Sequence, residues 1–331
     1  MTLVSFVIAN YNYEKFVAAS IDSALASDWP DIEVIVVDDG SKDRSNEIID
    51  SYGDRITAIY QANGGQRVAN NTGFAASKGD VVILLDADDT VHPTLARKVA
   101  NAWRPGVSKI QVQMIRIDAD GKVFGTPFPE WKTVPTPQDI RTWTLSTTEY
   151  PTPPGSGNAY SRDFLQKFFP VGPEHDSFTD STTLPLAPIL GDVVSIREPL
   201  VHYRRHGSND SNLFAKRGHF AREVARAIKR QDSASEICTR LGVPAPPDNI
   251  LRRSWYVLQL RVASLRAAPE MHPMTGDTRV TALFDSVRNL FLASSEPLAK
   301  RIKISLWSIA TLLAPERLAL KLVEMRFGEK S

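Results

Sequence analysis

The first ninety residues of this chain alternate between two hydrophobic periods, and that alternation limits the fold more than any other feature. Short apolar runs rich in β-branched residues at 3–9, 32–37, 56–60 and 81–85 have the length and composition of strands. The stretches between them, 14–26, 43–52 and 66–78, have helical character: Phe16, Val17, Ile21, Ala24 and Leu25 mark one helical face. Strands separated by such helices require crossover connections and produce a parallel sheet covered on both faces. The expected class is therefore α/β, a mostly parallel sheet flanked by helices.

The pattern changes from about residue 105. Residues 109–117 predict a strand, and the Asp-Ala-Asp-Gly of 118–121 predicts a hairpin turn. Residues 126–157 hold many prolines and little periodicity, which predicts an irregular, substrate-facing loop. Short strands are expected at 193–197 and 200–204. From about 213 the chain is helical and rich in Arg and Leu, broken at Pro244, Pro246, Pro247, Pro269 and Pro273. The expected division is 1–212, with halves 1–92 and 105–212, followed by a helical C-terminal extension over 213–331.

The formal net charge of +1 gives no global attraction to nucleic acid, so no nucleic-acid partner is expected. One cysteine, Cys238, rules out an internal disulfide framework and a cysteine-cluster metal site, and fits a reducing compartment. The opening stretch lacks the pattern of a signal peptide. No run approaches the roughly 18 apolar residues of a membrane-spanning helix. The expected location is cytoplasmic. Near the C-terminus, Lys300, Arg301, Lys303, Arg317, Lys321 and Arg326 outnumber Glu316 and Glu324. Leu298, Ile302, Leu306, Trp307, Ile309 and Leu313 form an apolar stripe there. Such a stripe packs against a protein core or makes peripheral contact with the inner face of a membrane, here through 295–327.

Three motifs carry candidate chemistry. Asp38-Asp39-Gly40-Ser41 follows the second strand run, where carboxylates can accept hydrogen bonds from a nucleobase or a ribose; an Asp-Gly turn with a helix cap has the same composition. Asp86-Ala87-Asp88-Asp89 crowds acids at the end of the most apolar strand. Like charges there raise one another's pKa unless a partner neutralises them, and a hard cation bridging substrate phosphates is such a partner. Asn63-Gly64-Gly65-Gln66-Arg67, with Asn70, Asn71 and Gly73 beyond, suits close backbone approach at a helix N-terminus. It is neither a Walker loop nor the dinucleotide-binding Gly-x-Gly-x-x-Gly.

In this order, and with Ala9-Asn10-Tyr11-Asn12 ahead of them, these motifs resemble glycosyltransferase family 2, of the GT-A fold. Gly155-Ser156-Gly157-Asn158 looks like that family's acceptor-side segment, and 200–209 looks like its closing motif. The resemblance implies a metal-dependent, inverting enzyme that moves a sugar from a nucleotide-diphosphate sugar to a glycan or lipid-linked acceptor in surface glycan synthesis. It places Ala9, Asn10 and Tyr11 with Asp38 and Asp39 at the base of the donor. It places Gly65, Arg67 and Asn70 on the donor side, and Asp86, Ala87 and Asp88 at the ribose and the metal. Asp88, with Asp86 and His206, would hold Mn²⁺ or Mg²⁺.

The chain departs from the family pattern at three places. A usual proline is Ala9, and an arginine frequent after the Asn-Gly-Gly segment is Asn70. A Glu-Asp pair normally stands about eleven residues before a glycine; counting back from Gly191 gives Thr179-Asp180. Asp180 is the expected base, with Glu174 and Asp176 as rivals and a helix cap as the structural alternative. The lost Glu also motivates a second reading, a degenerate nucleotide-sugar-binding or scaffold protein. A sugar-nucleotidyltransferase is a poorer match, because Asn10-Tyr11-Asn12-Tyr13 stands where its glycine-rich basic loop belongs.

Overall fold

The computed structural model describes residues 1–206 and 218–328, and these fall into two compact units. The first comprises Met1–Asp139 and Pro151–Gly207; the second comprises Ile140–Tyr150 and Ser208–Ser331. Gly207, Ser208 and Asn209 of the closing motif lie outside the described residues, as does the expected boundary at 212/213.

The first unit opens as β1 (Val4–Asn10), α1 (Val17–Leu25), β2 (Ile32–Asp38), α2 (Ser45–Asp50), β3 (Thr57–Tyr60), α3 (Gln66–Ala76) and β4 (Val81–Asp86). It continues through β5 (Thr90–Val91), α4 (Leu95–Ala102), β6 (Val107–Ile117) and β7 (Val123–Phe128). After α5 (Pro137–Thr147), most of which falls in the second unit, it resumes with β8 (Asn158–Ser161), α6 (Arg162–Leu165), α7 (Asp180–Leu190) and β9 (Asp192–Arg204). The strands form one sheet in the order β3-β2-β1-β4-β8-β6-β9-β5, with β7 paired to β6. Pairing is parallel from β3 through β4 and between β6 and β9; the remaining pairs are antiparallel. Phe6, Ile8, Val36, Ile83 and Leu85 pack with Val17 and Ile21 of α1 in the core on one face. On α3, a Cβ at Gly73 would stand 2.2 Å from Val7 Cγ1, so glycine lets that helix lie close to β1.

Two expectations are corrected here. The loop expected over 126–157 contains α5, whose buried Ile140, Thr144 and Thr147 share one helical face. Pro137 suits a first helical turn. Thr136 N–H donates to Asp139 Oδ2 at 3.0 Å, and Asp139 N–H to Thr136 Oγ1 at 3.2 Å, a reciprocal cap. The two short strands expected at 193–204 are a single strand, β9. Its register against β6 shifts on either side of Gln113, which faces Pro199. A bulge absorbs the proline's missing N–H, so the ladder continues past it.

The second unit contains α8 (His219–Arg240), α9 (Trp255–Ala267), α10 (Arg279–Arg288), α11 (Leu298–Leu313) and α12 (Glu316–Phe327). Trp255, Leu258, Val262 and Leu265 of α9 form its core with Ala282, Ile304 and Leu312. Beside them Arg261, fully buried, donates to Asp277 at 2.7 and 2.8 Å and to Asp285 at 2.8 Å. The guanidinium and its hydrogen bonds hold Asp277 far below the usual carboxylate range. Among the described residues, no helix is long and apolar enough to cross a membrane.

Candidate active site

The site begins where three parallel strands end together. Asn10, Asp38 and Asp86 are the last residues of β1, β2 and β4. Registry pairs Asn10 with Asp38 and Ala9 with Asp86. Side chains in such a row face the crevice beyond the carboxyl ends of the strands, where open α/β sheets bind ligands. Asn10 Nδ2 donates to Asp38 Oδ2 at 2.8 Å, while Asn10 Oδ1 is buried with no partner among the described residues. Asp38 also receives Ser41 N–H at 2.8 Å and Ser41 Oγ at 2.6 Å. Tyr11 stands outward, 44% exposed.

Asp39 is turned toward the glycine segment. Its carboxylate accepts from Gly64 N–H at 2.9 Å, Gly65 N–H at 2.7 Å and Gln61 Nε2 at 2.7 Å. Gly40 lies at φ +78°, and a Cβ there would sit 2.9 Å from the Asn63 nitrogen, so this turn requires glycine. Gly65, at φ +84°, precedes α3 and exposes that helix's N-terminus at the rim of the site.

Two acids from distant parts of the chain meet at one peptide. Gly155 N–H donates to Asp180 Oδ2 at 2.7 Å, and a Cβ on Gly155 would lie 2.9 Å from Asp86 Oδ2. Gln66 Nε2 donates to Asp86 Oδ1 at 2.8 Å, and Ser156 Oγ receives Asp86 N–H at 3.1 Å. Asp180 begins α7 and Thr179 is its N-cap, so the cap expected at Asp180 falls one residue earlier. Buried Lys109 underpins this loop: its Nζ donates to Gln111 Oε1 at 3.0 Å, Thr152 Oγ1 at 2.7 Å and Asn158 Oδ1 at 2.9 Å. Asn158 Nδ2 in turn donates to Gly155 O at 3.2 Å. Burial pushes the Lys109 amine well below its usual pKa, opposed by the charge of Asp180.

The remaining acids diverge. Asp88 Oδ2 lies 3.0 Å from His206 Nε2, which brings together two of the three expected metal ligands. The imidazole stacks on Phe16 at 5.0 Å between centroids and meets Tyr13 edge-on at 5.9 Å. Asp89 points into the protein, where its Oδ1 accepts Arg204 N–H at 2.9 Å. Arg204 Nε donates to the Asp88 carbonyl at 2.8 Å. Burial and the neighbouring Asp88 and Asp86 raise Asp89 well above the usual carboxylate range. Ala87, between Asp86 and Asp88, is buried. Among the described residues, no three His, Cys, Asp or Glu side chains converge closely enough to hold a metal ion unaided.

Gln66, Ser156, Lys109, Arg204 and Phe16 belong to the site although none was singled out from the sequence. Gln66, Ser156 and Arg204 lay within the recognised motifs and Phe16 on the first helical face, without assigned roles; Lys109 becomes visible only once the chain is folded.

Two of the family departures turn out to be partners. Asn70 Nδ2 donates to Thr179 Oγ1 at 2.9 Å, and both residues are buried. Arg67 donates to the Val171 carbonyl at 2.7 Å, and Asn71 exchanges two hydrogen bonds with Val171 at 2.9 Å each. The rivals for the base are committed elsewhere. Asp176 accepts from Ser177 N–H and Ser181 Oγ at 2.8 Å each, and Glu174 pairs with His175 at 3.2 Å. Thr179→Val and Asn70→Ala should each cost about 1–3 kcal/mol, the penalty of a buried polar group without a partner. The double variant should cost measurably less than the two together. Urea unfolding of all four proteins measures the coupling, and strict additivity would remove the bond from the account.

Burial and the charges of Asp88 and Asp180 raise Asp86 to about 7. The unfolded chain releases this proton near the ordinary carboxylate value, so metal-free stability falls as pH rises from about 4 to 7 and stays low above that. Asp86→Asn removes the penalty. Discounted for partial solvent contact, the gain at pH 8 is about 1–2 kcal/mol, or roughly 2–6 °C in melting temperature, with none below pH 4. Half-buried Glu149 is also raised to about 7 in the second unit, so the wild-type slope alone does not isolate Asp86; the variant does.

A family model described as Glycosyl transferase family 2 matches residues 5–169. The uncharacterized glycosyltransferase alr2836 of Nostoc sp. is 34% identical over 214 residues, covering 62% of this chain and 66% of that protein. The uncharacterized glycosyltransferase EpsJ of Bacillus subtilis is 42% identical over 100 residues, covering 29% of each chain. The match thus spans just under two thirds of the first relative and under a third of the second. Among solved structures, S. aureus TarS 1-349 in complex with UDP-GlcNAc aligns with a TM-score of 0.55 at 19% identity, over 99% of this chain and 92% of that chain. A second TarS structure aligns at 0.51 with 16% identity, over 95% of this chain and 55% of that one. These likenesses concern the fold, which is of the GT-A type. Through the match over 5–169, together with the Nostoc relative, the chain belongs to glycosyltransferase family 2.

Proposed function

We propose that this protein is a metal-dependent, inverting glycosyltransferase that moves a sugar from a nucleotide-diphosphate sugar to an acceptor hydroxyl during surface glycan synthesis. One observation carries the reading: Asp86, on the donor side, and Asp180, on the acceptor side, flank a single glycine beside the Asp88–His206 pair. Asn10, Asp38 and Asp39 line the end where the nucleoside binds, and the N-terminus of α3 faces the donor phosphates. Asp88 and His206 offer one oxygen and one nitrogen, a donor set that fits Mn²⁺ or Mg²⁺ completed by phosphate oxygens. A bound cation would offset the charge that develops on the departing nucleoside diphosphate. Asp180 accepts the acceptor's proton as its oxygen attacks the anomeric carbon from the face opposite the diphosphate. Gly155 N–H, holding one oxygen of Asp180, orients that carboxylate. A single displacement inverts configuration and needs no covalent sugar–enzyme intermediate.

The scaffold reading drew its motive from the Glu lost at 179. The Asn70–Thr179 bond weakens that motive, because the neutral residues at these two departures satisfy each other. A thermal-shift screen of nucleoside diphosphates and their sugars, with and without Mn²⁺, tests the proposal. UDP-GlcNAc, the ligand of the TarS complex, is the first probe. At 100 times its Kd a true donor should stabilise by about 2.7 kcal/mol, more with Mn²⁺ than without. Stabilisation without turnover on any glycan or lipid-linked acceptor would favour the scaffold.

A further inference from the structure

Two helices of the second unit are built with their polarity reversed for a water-facing surface. α11 exposes Leu298, Ile302, Leu306 and Leu313 along one face, the last two 62% and 68% exposed. On its other face it buries Ser305, Ser308 and Thr311 beside Ile304 and Leu312. α10 exposes Val280, Phe284 and Val287, continued by Phe291 at 85%, while burying Asp285 and Ser286. The spacing of each exposed set keeps it on one side of its helix. Ala282, Ile304 and Leu312 pack into the α9 core, so both stripes point away from α9. The polar side chains lie between elements: Ser305 Oγ donates to the Ser286 carbonyl at 2.5 Å. Ser308 Oγ and Thr311 Oγ1 are buried with no partner among the described residues.

In water, helices bury their apolar stripe, worth about 1.5–3 kcal/mol per large side chain. Small and polar residues inside with aliphatic and aromatic residues outside is the arrangement that hydrocarbon surroundings favour. α11 has 16 residues, so its length is about 24 Å, short of the roughly 30 Å hydrocarbon core. It can therefore lie along a bilayer surface but not cross it. Charge selects the surface. Residues 279–328 carry eight Lys and Arg against four Asp and Glu; Asp285 pairs with Arg288 and Glu296 with Lys300, and the excess of four positive charges remains. Arg279, Lys300 and Lys303 are exposed on the two helices. Two copies of this face would bring like charges together, whereas an anionic headgroup layer neutralises them.

We propose that the face formed by α10, Phe291 and α11 docks in the interfacial layer of an anionic phospholipid bilayer. The surface begins at 279 and so extends beyond the 295–327 segment suggested by charge and hydropathy. The test does not depend on sugar transfer. Full-length protein is floated with vesicles of equal parts phosphatidylglycerol and phosphatidylcholine, and with phosphatidylcholine alone. Flotation should favour the anionic vesicles. The variant Phe284→Ser/Phe291→Ser/Leu306→Ser should reduce vesicle affinity by about tenfold or more, with circular dichroism and the nucleotide thermal shift unchanged. Lys300→Glu/Lys303→Glu should abolish the preference for anionic vesicles. Equal flotation of the triple variant, or equal binding to neutral vesicles, would overturn the proposal. So would lipid-free self-association that the triple variant abolishes, since a second copy would then cover the face.

Discussion

Asp88→Asn should lower sugar transfer by about 10²–10⁴-fold while the protein stays folded. Asparagine keeps the shape of the side chain and an oxygen to face His206, so the buried contact at 3.0 Å survives in neutral form. The loss is of negative charge where a cation must be gripped. Several kcal/mol of transition-state stabilisation depend on that grip, and each 1.36 kcal/mol is tenfold in rate. Two measurements separate this from general damage. Turnover with labelled donor should collapse, and Mn²⁺ should no longer add to the thermal stabilisation given by the nucleoside diphosphate. Near-normal turnover, or an undiminished Mn²⁺ effect, would refute the role assigned to Asp88.

Asp180→Asn should be comparably severe, about 10²–10⁴-fold in kcat, for a different reason. The amide oxygen can still accept from Gly155 N–H, now at 2.7 Å, so the loop keeps its anchor. What disappears is the ability to take a proton. Donor affinity, read by thermal shift, should therefore be unchanged, and KM for the donor should move little. Asp176→Asn and Glu174→Gln serve as controls. Asp176 is engaged with Ser177 and Ser181, and Glu174 with His175. If Asp176→Asn abolished transfer and Asp180→Asn did not, the two residues would exchange roles.

Much of the row at the strand ends was legible because parallel-sheet strands are largely apolar on both faces, so a polar residue directly after the apolar run marks the end. Asn10, Asp38 and Asp86 are each such a residue, and each closes its strand. The part of the chain after residue 105 was less legible. α5 was hidden because its inward face is mostly threonine, although Thr-Pro-Gln-Asp at 136–139 spelled a helix start. Pro199 suggested a strand break, which the bulge in β9 absorbs. The α11 periodicity revealed a stripe but not its direction. Leu298, Ile302, Leu306 and Leu313 face outward, while Ile309 and Trp307 are half-buried and Trp307 donates to the Leu322 carbonyl at 3.0 Å. Partners such as Gln66 for Asp86, or Asn70 for Thr179, are contacts across 20 and 109 residues that no local pattern encodes.

Gly155 acts as a spacer between the carboxylates of Asp86 and Asp180. Its amide binds one carboxylate while the empty position of its missing side chain admits the other. The backbone of residue 155 therefore sets how near the two carboxylates can come. Loops around it can be rebuilt to admit a different sugar or acceptor without altering that gauge. Even the smallest side chain at 155 would wedge the two acids apart.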